Sequence, residues 1–253
     1  MNTQIFKKTP LALLVMIPAL GAQAANINLE LTASTYAGTE DGTDSQTSGP
    51  STEYISATAE NYENSTASET FARGDIDGSF YTITDLTGYG ESKASFLQSY
   101  EITNDESAEK FFDFSFAVDN GTLEIYCEEE DDDGYGSDGD EICSGEGSSA
   151  YTAGIRLNDV TIWSSHAALT LDGFESTLAT SGAVLGNYGT GNNYYSWPES
   201  KLTIDLGTFA AGEVFTVEYE VSLIGRTGDG LSSYSKFAGE KWSSTTDVEL
   251  PLH

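Results

Sequence analysis

Basic residues are scarce in this sequence. The chain has 253 residues, with 10 Lys and Arg against 41 Asp and Glu, and a formal net charge of −31. Because a polyanion repels other polyanions, we expect no nucleic-acid partner and no binding to anionic membrane surfaces. Hydrophobic residues still make up 38% of the chain, with 14 Tyr and 12 Phe. This content is sufficient for a buried core, so the chain is not expected to be wholly disordered.

Long hydrophobic runs are also missing, except at the N-terminus. Residues 1–24 combine two early lysines, a run of about ten apolar residues and the small-residue site Ala22-Gln23-Ala24, which is typical of a secretory signal peptide. The run is too short to span a bilayer, which needs roughly 20 residues. Cleavage after Ala24 leaves residues 25–253 with a net charge of −33. We expect a secreted product without a membrane span, at the cell surface or outside the cell, with the periplasm as the alternative.

Cysteine is limited to two residues, Cys127 and Cys143. In an exported protein such a pair normally forms a disulfide, because the compartment is oxidising. The alternative, a cysteine metal site, would need further Cys or His ligands nearby, and the sequence has none there.

Helical periodicity is absent after the signal peptide, and several segments instead alternate apolar and polar residues. The clearest are residues 112–118, with three Phe and a Val on one face, and residues 215–223, with five apolar positions on one face. Period-two segments between Gly, Asn, Asp and Ser turn formers predict about a dozen short strands. The expected fold is all-β, an antiparallel β-sandwich of immunoglobulin-like or jelly-roll type, with residues 25–253 as a single domain.

Three regions interrupt the alternation. Residues 37–52 have almost no apolar content and are predicted to form a long mobile loop. Residues 128–141 form an acidic run inside the predicted disulfide loop 127–143. Residues 186–199 form a Gly/Asn-rich segment with several aromatic residues.

The acidic run contains nine carboxylates in 14 residues, interspersed with glycines. Oxygen ligands on a flexible loop suit Ca²⁺, so calcium is the predicted cofactor. The candidate metal ligands are Asp131, Asp133, Asp138, Asp140 and Glu141. The alternative is a solvated polyanionic loop with diffuse counterions, since an EF-hand loop beginning at Asp131 would place Ile142 where a bidentate Glu belongs.

The aromatic segment suggests a second kind of site. Tyr194, Tyr195 and Trp197 are candidate ligand-binding residues, because aromatic rings can stack on the C–H faces of a sugar. The alternative is that these rings fold back and cap the core of the sandwich.

Two stretches resemble a known family. Residues 100–104, Tyr-Glu-Ile-Thr-Asn, and residues 204–219, which include Leu-Gly-Thr-Phe-Ala-Ala-Gly-Glu, are similar to segments of bacterial extracellular immunoglobulin-like β-sandwich proteins of the PEP-CTERM type. Ala211 stands where that family usually has Pro, and the family's C-terminal sorting tail is not recognised here. The resemblance implies a surface or matrix protein and no catalytic residues.

Catalytic motifs are lacking as well. The internal His166 stands beside two serines, but no Gly-x-Ser-x-Gly nucleophile turn occurs, so we expect no enzyme. The favoured function is an acidic structural or interaction protein that self-associates through sheet edges and responds to calcium. The segment from Ala25 to Tyr36 is the predicted donated strand. The alternatives are a carbohydrate-binding module-like protein with a polysaccharide partner and, second, a secreted hydrolase.

Overall fold

The structure, a computed structural model, describes residues 26–39, 42–63, 66–75, 78–127, 144–188, 193–228 and 230–241. These residues form sixteen β-strands, and among them there is no helix that could cross a membrane. In chain order the strands are β1 (Asn26–Thr39), β2 (Thr43–Ser51), β3 (Tyr54–Glu63), β4 (Thr66–Asp75), β5 (Phe80–Thr87), β6 (Gly90–Thr103), β7 (Lys110–Val118), β8 (Gly121–Cys127), β9 (Gly145–Leu157), β10 (Val160–Gly173), β11 (Glu175–Gly182), β12 (Asn187–Tyr188), β13 (Tyr194–Trp197), β14 (Ser200–Phe209), β15 (Val214–Thr227) and β16 (Leu231–Lys241).

The strands form two sheets, and every pairing is antiparallel. The front sheet has seven strands in the order β11-β10-β9-β15-β6-β1-β2. The back sheet has nine strands: seven run in the order β12-β13-β8-β16-β5-β4-β3, and β14 joins them through β7, which pairs with β16. The predicted all-β antiparallel sandwich is thus confirmed. The finer immunoglobulin-like or jelly-roll assignment stays a prediction.

Strand β15 shows how sequence alternation produces this architecture. Phe215, Val217 and Tyr219 are buried between the sheets, whereas Glu220 on the opposite face is exposed. The same alternation continues to Leu223, and β15 lies between β6 and β9 near the middle of the front sheet. A strand with one apolar face and one polar face fits a sheet whose other face is in water.

Aromatic rings fill the space between the sheets. Phe80 of the back sheet stacks on Phe96 of the front sheet, with ring centroids 5.4 Å apart. Tyr151 of the front sheet packs at a tilt against Trp197 and Phe237 of the back sheet, with ring centroids 4.8 and 5.1 Å away. Each such ring buries a large apolar area, so these contacts contribute strongly to holding the sheets together.

The two stretches behind the family resemblance meet at a single buried residue. Asn104 follows β6, and its side-chain Nδ2 donates to the carbonyl oxygens of Phe209 (2.8 Å), Ala210 (3.0 Å) and Ala108 (3.1 Å). Its backbone N–H donates to Glu213, and its carbonyl accepts from the N–H of Gly212. Asn104 therefore fastens the turn between β14 and β15 to the end of β6.

The predicted loop 37–52 is instead largely strand. Residues 37–39 complete β1, and Thr43–Ser51 forms β2, which pairs with β1 from Leu31 to Gly38. The prediction was wrong because a strand at a sheet edge can have solvent on both faces, so its sequence need not contain apolar residues. Backbone pairing with β1 and hydrogen bonds from polar side chains hold β2 in place.

The segment from Ala25 to Tyr36 does not form an edge strand either. Its described part belongs to β1, which lies inside the front sheet, paired with β6 on one side and β2 on the other. Leu31 and Ala33 are buried in the core. Donation of this strand would break both pairings, so donation of the N-terminal strand stays a prediction that the observed pairing does not favour.

Candidate interaction surfaces

The predicted calcium ligands lie outside the described residues. This applies to Asp131, Asp133, Asp138, Asp140 and Glu141, so the calcium site stays a prediction. Among the residues that are described, no group of three or more His, Cys, Asp or Glu side chains is arranged to hold a metal ion. Cys127 ends β8, and Cys143 lies outside the described residues, so the disulfide also stays a prediction.

The predicted sugar-stacking residues are split between the core and the surface. Tyr195 is fully buried and Trp197 is 2% exposed, whereas Tyr194 is 39% exposed. The Tyr195 hydroxyl accepts a hydrogen bond from the N–H of Gly186 (3.0 Å), and the Trp197 ring packs against Phe237 (5.3 Å). Their ring faces are therefore not accessible to a sugar in this arrangement, which favours the alternative of rings that cap the core.

The back sheet carries a row of like charges on its outer face. Glu60, Glu69 and Asp85 are directly opposite one another on β3, β4 and β5. Partial burial and the neighbouring Glu69 raise the pKa of the Asp85 carboxyl above its ordinary value. Because like charges directly opposite one another destabilise a sheet, this row lowers the stability of the protein at neutral pH.

An exposed sheet edge can pair with another chain, so the edges are the next candidate surfaces. The edge strands β2 and β3 meet at one corner of the sandwich, where side chains of β2 cap the free N–H groups of β3. Gln46 Oε1 accepts from the N–H of Thr58 (2.6 Å), and Asp44 Oδ2 accepts from the N–H of Glu60 (3.2 Å). This corner is closed to a further strand at the capped positions.

The other back-sheet edges have different protection. Strand β14 has an irregular register between Asp205 and Gly207, and its sequence includes the charges of Lys201 and Asp205. Strand β12 is two residues long. Bulges, charges and short length are the usual devices that prevent edge-to-edge pairing.

Strand β11 has none of these devices. It pairs with β10 in continuous register from Glu175 to Gly182, without proline and with its one charge at the first residue. Large apolar side chains are exposed just beyond each end, with Phe174 71% and Val184 61% exposed. This edge is long, regular and uncharged over most of its length.

The hydrogen-bonding groups that face outward on β11 can be identified. The N–H of Ala183 donates to the carbonyl of Ser164 (2.8 Å), which fixes the alternation of hydrogen-bonded pairs along the β10–β11 ladder. The N–H of Ala179 then faces β10, whereas the N–H and C=O groups of Leu178 and Thr180 face away from it. In the described part of the chain, no strand pairs with this side of β11.

The sequence contains a local signal for this edge, a depletion of charged residues that the strongly acidic overall composition does not reveal. No charged residue occurs between Glu175 and Glu199, a long interval for a chain that is one-fifth charged. Depletion of charge marks the contact regions of protein interfaces.

The front sheet carries a groove of about 650 Å³ on its outer face. It lies where β1, β10 and β15 end and where β6 and β9 begin, and its lining includes Tyr36, Tyr89, Glu91 and Arg226. The Glu91 carboxylate accepts from Arg226 Nη2 at 2.8 Å and lies 2.7 Å from Lys93 Nζ. Partial burial acts to raise the pKa of Glu91, but the hydrogen bonds from Lys93 and Arg226 prevail and lower it.

Comparison of the chain with protein-family models, with curated proteins and with solved structures finds no match. Its function is therefore inferred from its own surfaces.

Proposed function

We propose that the chain is an exported, acidic and non-catalytic structural or interaction protein of the cell surface or extracellular matrix, and that its copies associate through β11. The observation that supports this proposal is the β11 edge, which lacks the protection found on the other edges of the described structure. The signal-like N-terminus and the family resemblance support the location outside the cell.

The proposed contact joins two β11 strands in antiparallel orientation about a twofold axis. Such a contact is isologous, because the same edge serves both subunits and each outward N–H meets an outward C=O of the other copy. The backbone groups of Leu178 and Thr180 would pair in this way, and the two seven-stranded sheets would become continuous. Phe174 and Val184 would add apolar contact at the ends of the paired strands.

Electrostatic repulsion opposes this association and makes it dependent on ions. A mature chain with a net charge of −33 repels its copies at low ionic strength, and salt screens this repulsion. The weakly charged β11 region lets the two sheets approach there at lower electrostatic cost than at the carboxylate-rich faces. If the acidic run at 128–141 takes up Ca²⁺, calcium should promote association beyond the effect of ionic strength.

Sedimentation velocity of residues 25–253 tests the proposal. We expect association to rise with NaCl, and to rise further with CaCl₂ at equal ionic strength, with reversal by a chelator. Thr180→Pro should abolish association, because it removes an outward-facing N–H from the edge and leaves the β10 ladder intact.

The neighbouring substitution Ala179→Pro is the matched control. Its N–H faces β10, so this variant should lose thermal stability, whereas Thr180→Pro should keep a melting temperature close to that of the parent chain. A protein that stays monomeric in all these buffers, or a Thr180→Pro variant that associates like the parent, would contradict the proposal. Association in NaCl without an added effect of CaCl₂ would contradict only its calcium part.

A further inference from the structure

The lining of the groove on the front sheet is rich in glycine. Glycines lie along it at Gly38, Gly90, Gly147 and Gly228, at or next to the ends of neighbouring strands. At Gly90 and Gly147 a Cβ would meet the Gly38 carbonyl oxygen and the Ile125 side chain, so these glycines let the strand ends pack closely around the groove. At Gly38 the space is taken by a neighbour, because a Cβ there would lie 2.7 Å from the Tyr36 hydroxyl. The Tyr36 ring therefore packs over Gly38 along the groove and does not extend into solvent.

The two sides of the groove differ in chemistry. Tyr36 and Tyr89 lie on the side of β1 and β6, and Tyr89 is 52% exposed. Glu146 and Asp172 lie on the other side, where they are directly opposite each other on β9 and β10. A ligand in the groove would therefore meet aromatic surface on one side and carboxylate acceptors on the other.

Arg226, which lines the groove, and the nearby Lys93 share an anionic partner. Glu91 binds Arg226 and Lys93, and the Lys93 ammonium also lies 5.4 Å from the centre of the Tyr36 ring. Arg226 is nevertheless 60% exposed in its side chain, so its remaining N–H groups can reach a ligand. These contacts place Tyr36, Lys93, Glu91 and Arg226 beside one another.

These charges restrict the class of ligand. An anionic ligand would meet Glu146 and Asp172 on a chain that is strongly negative overall. A small cation would meet Arg226, and the described residues do not supply a three-ligand acidic or histidine group for a metal. A neutral ligand with many hydroxyl groups fits best, because it can donate to the carboxylates, accept from Arg226 and place its C–H surface against tyrosine.

We infer that this groove binds a neutral saccharide. The Tyr89 ring packs against a pyranose face, Glu146 and Asp172 accept hydrogen bonds from sugar hydroxyls, and Arg226 donates to a sugar oxygen. The volume of about 650 Å³ lies within the range of sites that hold small molecules. This inference does not depend on association through β11, which involves the edge of the sheet and not the groove.

Affinity electrophoresis in gels that contain dextran, laminarin or galactomannan tests the inference, with polygalacturonate as the anionic comparison. The Thr180→Pro background removes any effect of self-association. We expect retardation by at least one neutral polysaccharide, and an affinity about tenfold weaker in Tyr89→Ala. The double variant Glu146→Gln, Asp172→Asn should lose retardation as well, with a melting temperature no lower than that of the parent chain, since it removes two like charges that lie directly opposite each other.

Tyr54→Ala provides the matched control, because Tyr54 is 53% exposed but lies on β3 of the back sheet. It should bind like the parent chain. Three outcomes would overturn the inference: no retardation by any neutral polysaccharide, retardation by polygalacturonate alone, or equal loss in Tyr54→Ala and Tyr89→Ala.

Discussion

Replacement of Asn104 by alanine is expected to be among the most destabilising changes in the protein. The side chain is fully buried, with Nδ2 near three carbonyl oxygens and Oδ1 accepting from the N–H of Glu106 (3.2 Å). Alanine removes all of these bonds at once. It also leaves the carbonyl of Phe209, a buried residue, without its side-chain donor.

The size of the loss in free energy of unfolding depends on which carbonyl groups can find a new hydrogen-bond donor after the substitution. Ala108 and Ala210 are exposed, so water can replace Asn104 at their carbonyls at a loss of about 0.5–1 kcal/mol each. The Phe209 carbonyl is less accessible, and leaving such a group unsatisfied costs about 1–3 kcal/mol. The free energy of unfolding should therefore fall by about 3 kcal/mol.

Asn104→Asp separates hydrogen bonding from side-chain volume. The aspartate has the same shape, but it places an oxygen in place of Nδ2, facing three carbonyl oxygens. At neutral pH it should be at least as destabilising as alanine, and acidification should recover part of the loss because the protonated carboxyl again donates one hydrogen bond.

Urea unfolding of residues 25–253, followed by tryptophan fluorescence, measures these changes. Asn158→Gly is the control, since Asn158 is an exposed residue with positive φ whose side chain accepts a single hydrogen bond, from the N–H of Thr216. Glycine tolerates this backbone conformation, so the loss should be about 1 kcal/mol or less. An Asn104→Ala variant that loses no more stability than Asn158→Gly would contradict this expectation, and so would an Asn104→Asp variant that matches the parent chain at neutral pH.

Three other substitutions test the core, the acidic row and the predicted disulfide. Gly74→Ala should destabilise by about 3 kcal/mol in urea unfolding, because the new Cβ would overlap the buried Phe96 ring. Asp85→Asn should stabilise the protein by about 0.5 kcal/mol at pH 7. Since the pKa of Asp85 is raised in the folded state, the parent chain gains stability as pH falls through that value, and the difference should vanish in acid. Cys127→Ser should cost about 3 kcal/mol, and thiol titration of the denatured, unreduced parent chain should find no free thiol.

Each of these three predictions has a control variant or a result that would contradict it. Gly212→Ala has no atom within 4 Å of its new Cβ, so it should show only the cost of a positive φ, about 1–2 kcal/mol. An Asp85→Asn variant that is less stable than the parent at pH 7 would show that the acidic row is not repulsive. A thiol count of two in the parent chain would disprove the disulfide.

Front-sheet strands with one face buried and the other in solvent could be predicted from the sequence, because their apolar and polar residues alternate. In β15, five alternate apolar positions from Phe215 to Leu223 are all buried, because both neighbours of this strand are long and one face points into the core. Strand β2 could not be recognised in this way. It lies at an edge, most of its side chains are exposed, and its conformation depends on a partner strand that local sequence does not reveal.

The surfaces were harder to predict than the fold. The sequence draws attention to Tyr195 and Trp197 as exposed aromatics, but their period-two spacing in β13 places both on the inner face. The β11 edge and the groove depend on which strands are neighbours, and antiparallel order cannot be read from spacing. Tyr36 and Glu146, for example, are brought to one groove by strands from distant parts of the chain.

The order of strands in the front sheet has a consequence for when the chain can fold during its synthesis. Strand β6, next to the central strand β15, pairs with β1 and with β15, so Ile102 must find partners that are remote along the chain in both directions, at Ile27 and at Phe215. Contacts between such remote segments form slowly, since long loops must close first. A polypeptide emerging from the ribosome cannot complete this sheet until β15 has been synthesised. We expect delayed tertiary structure during synthesis, which suits the proposed export, because a chain must be unfolded to pass through a secretion channel.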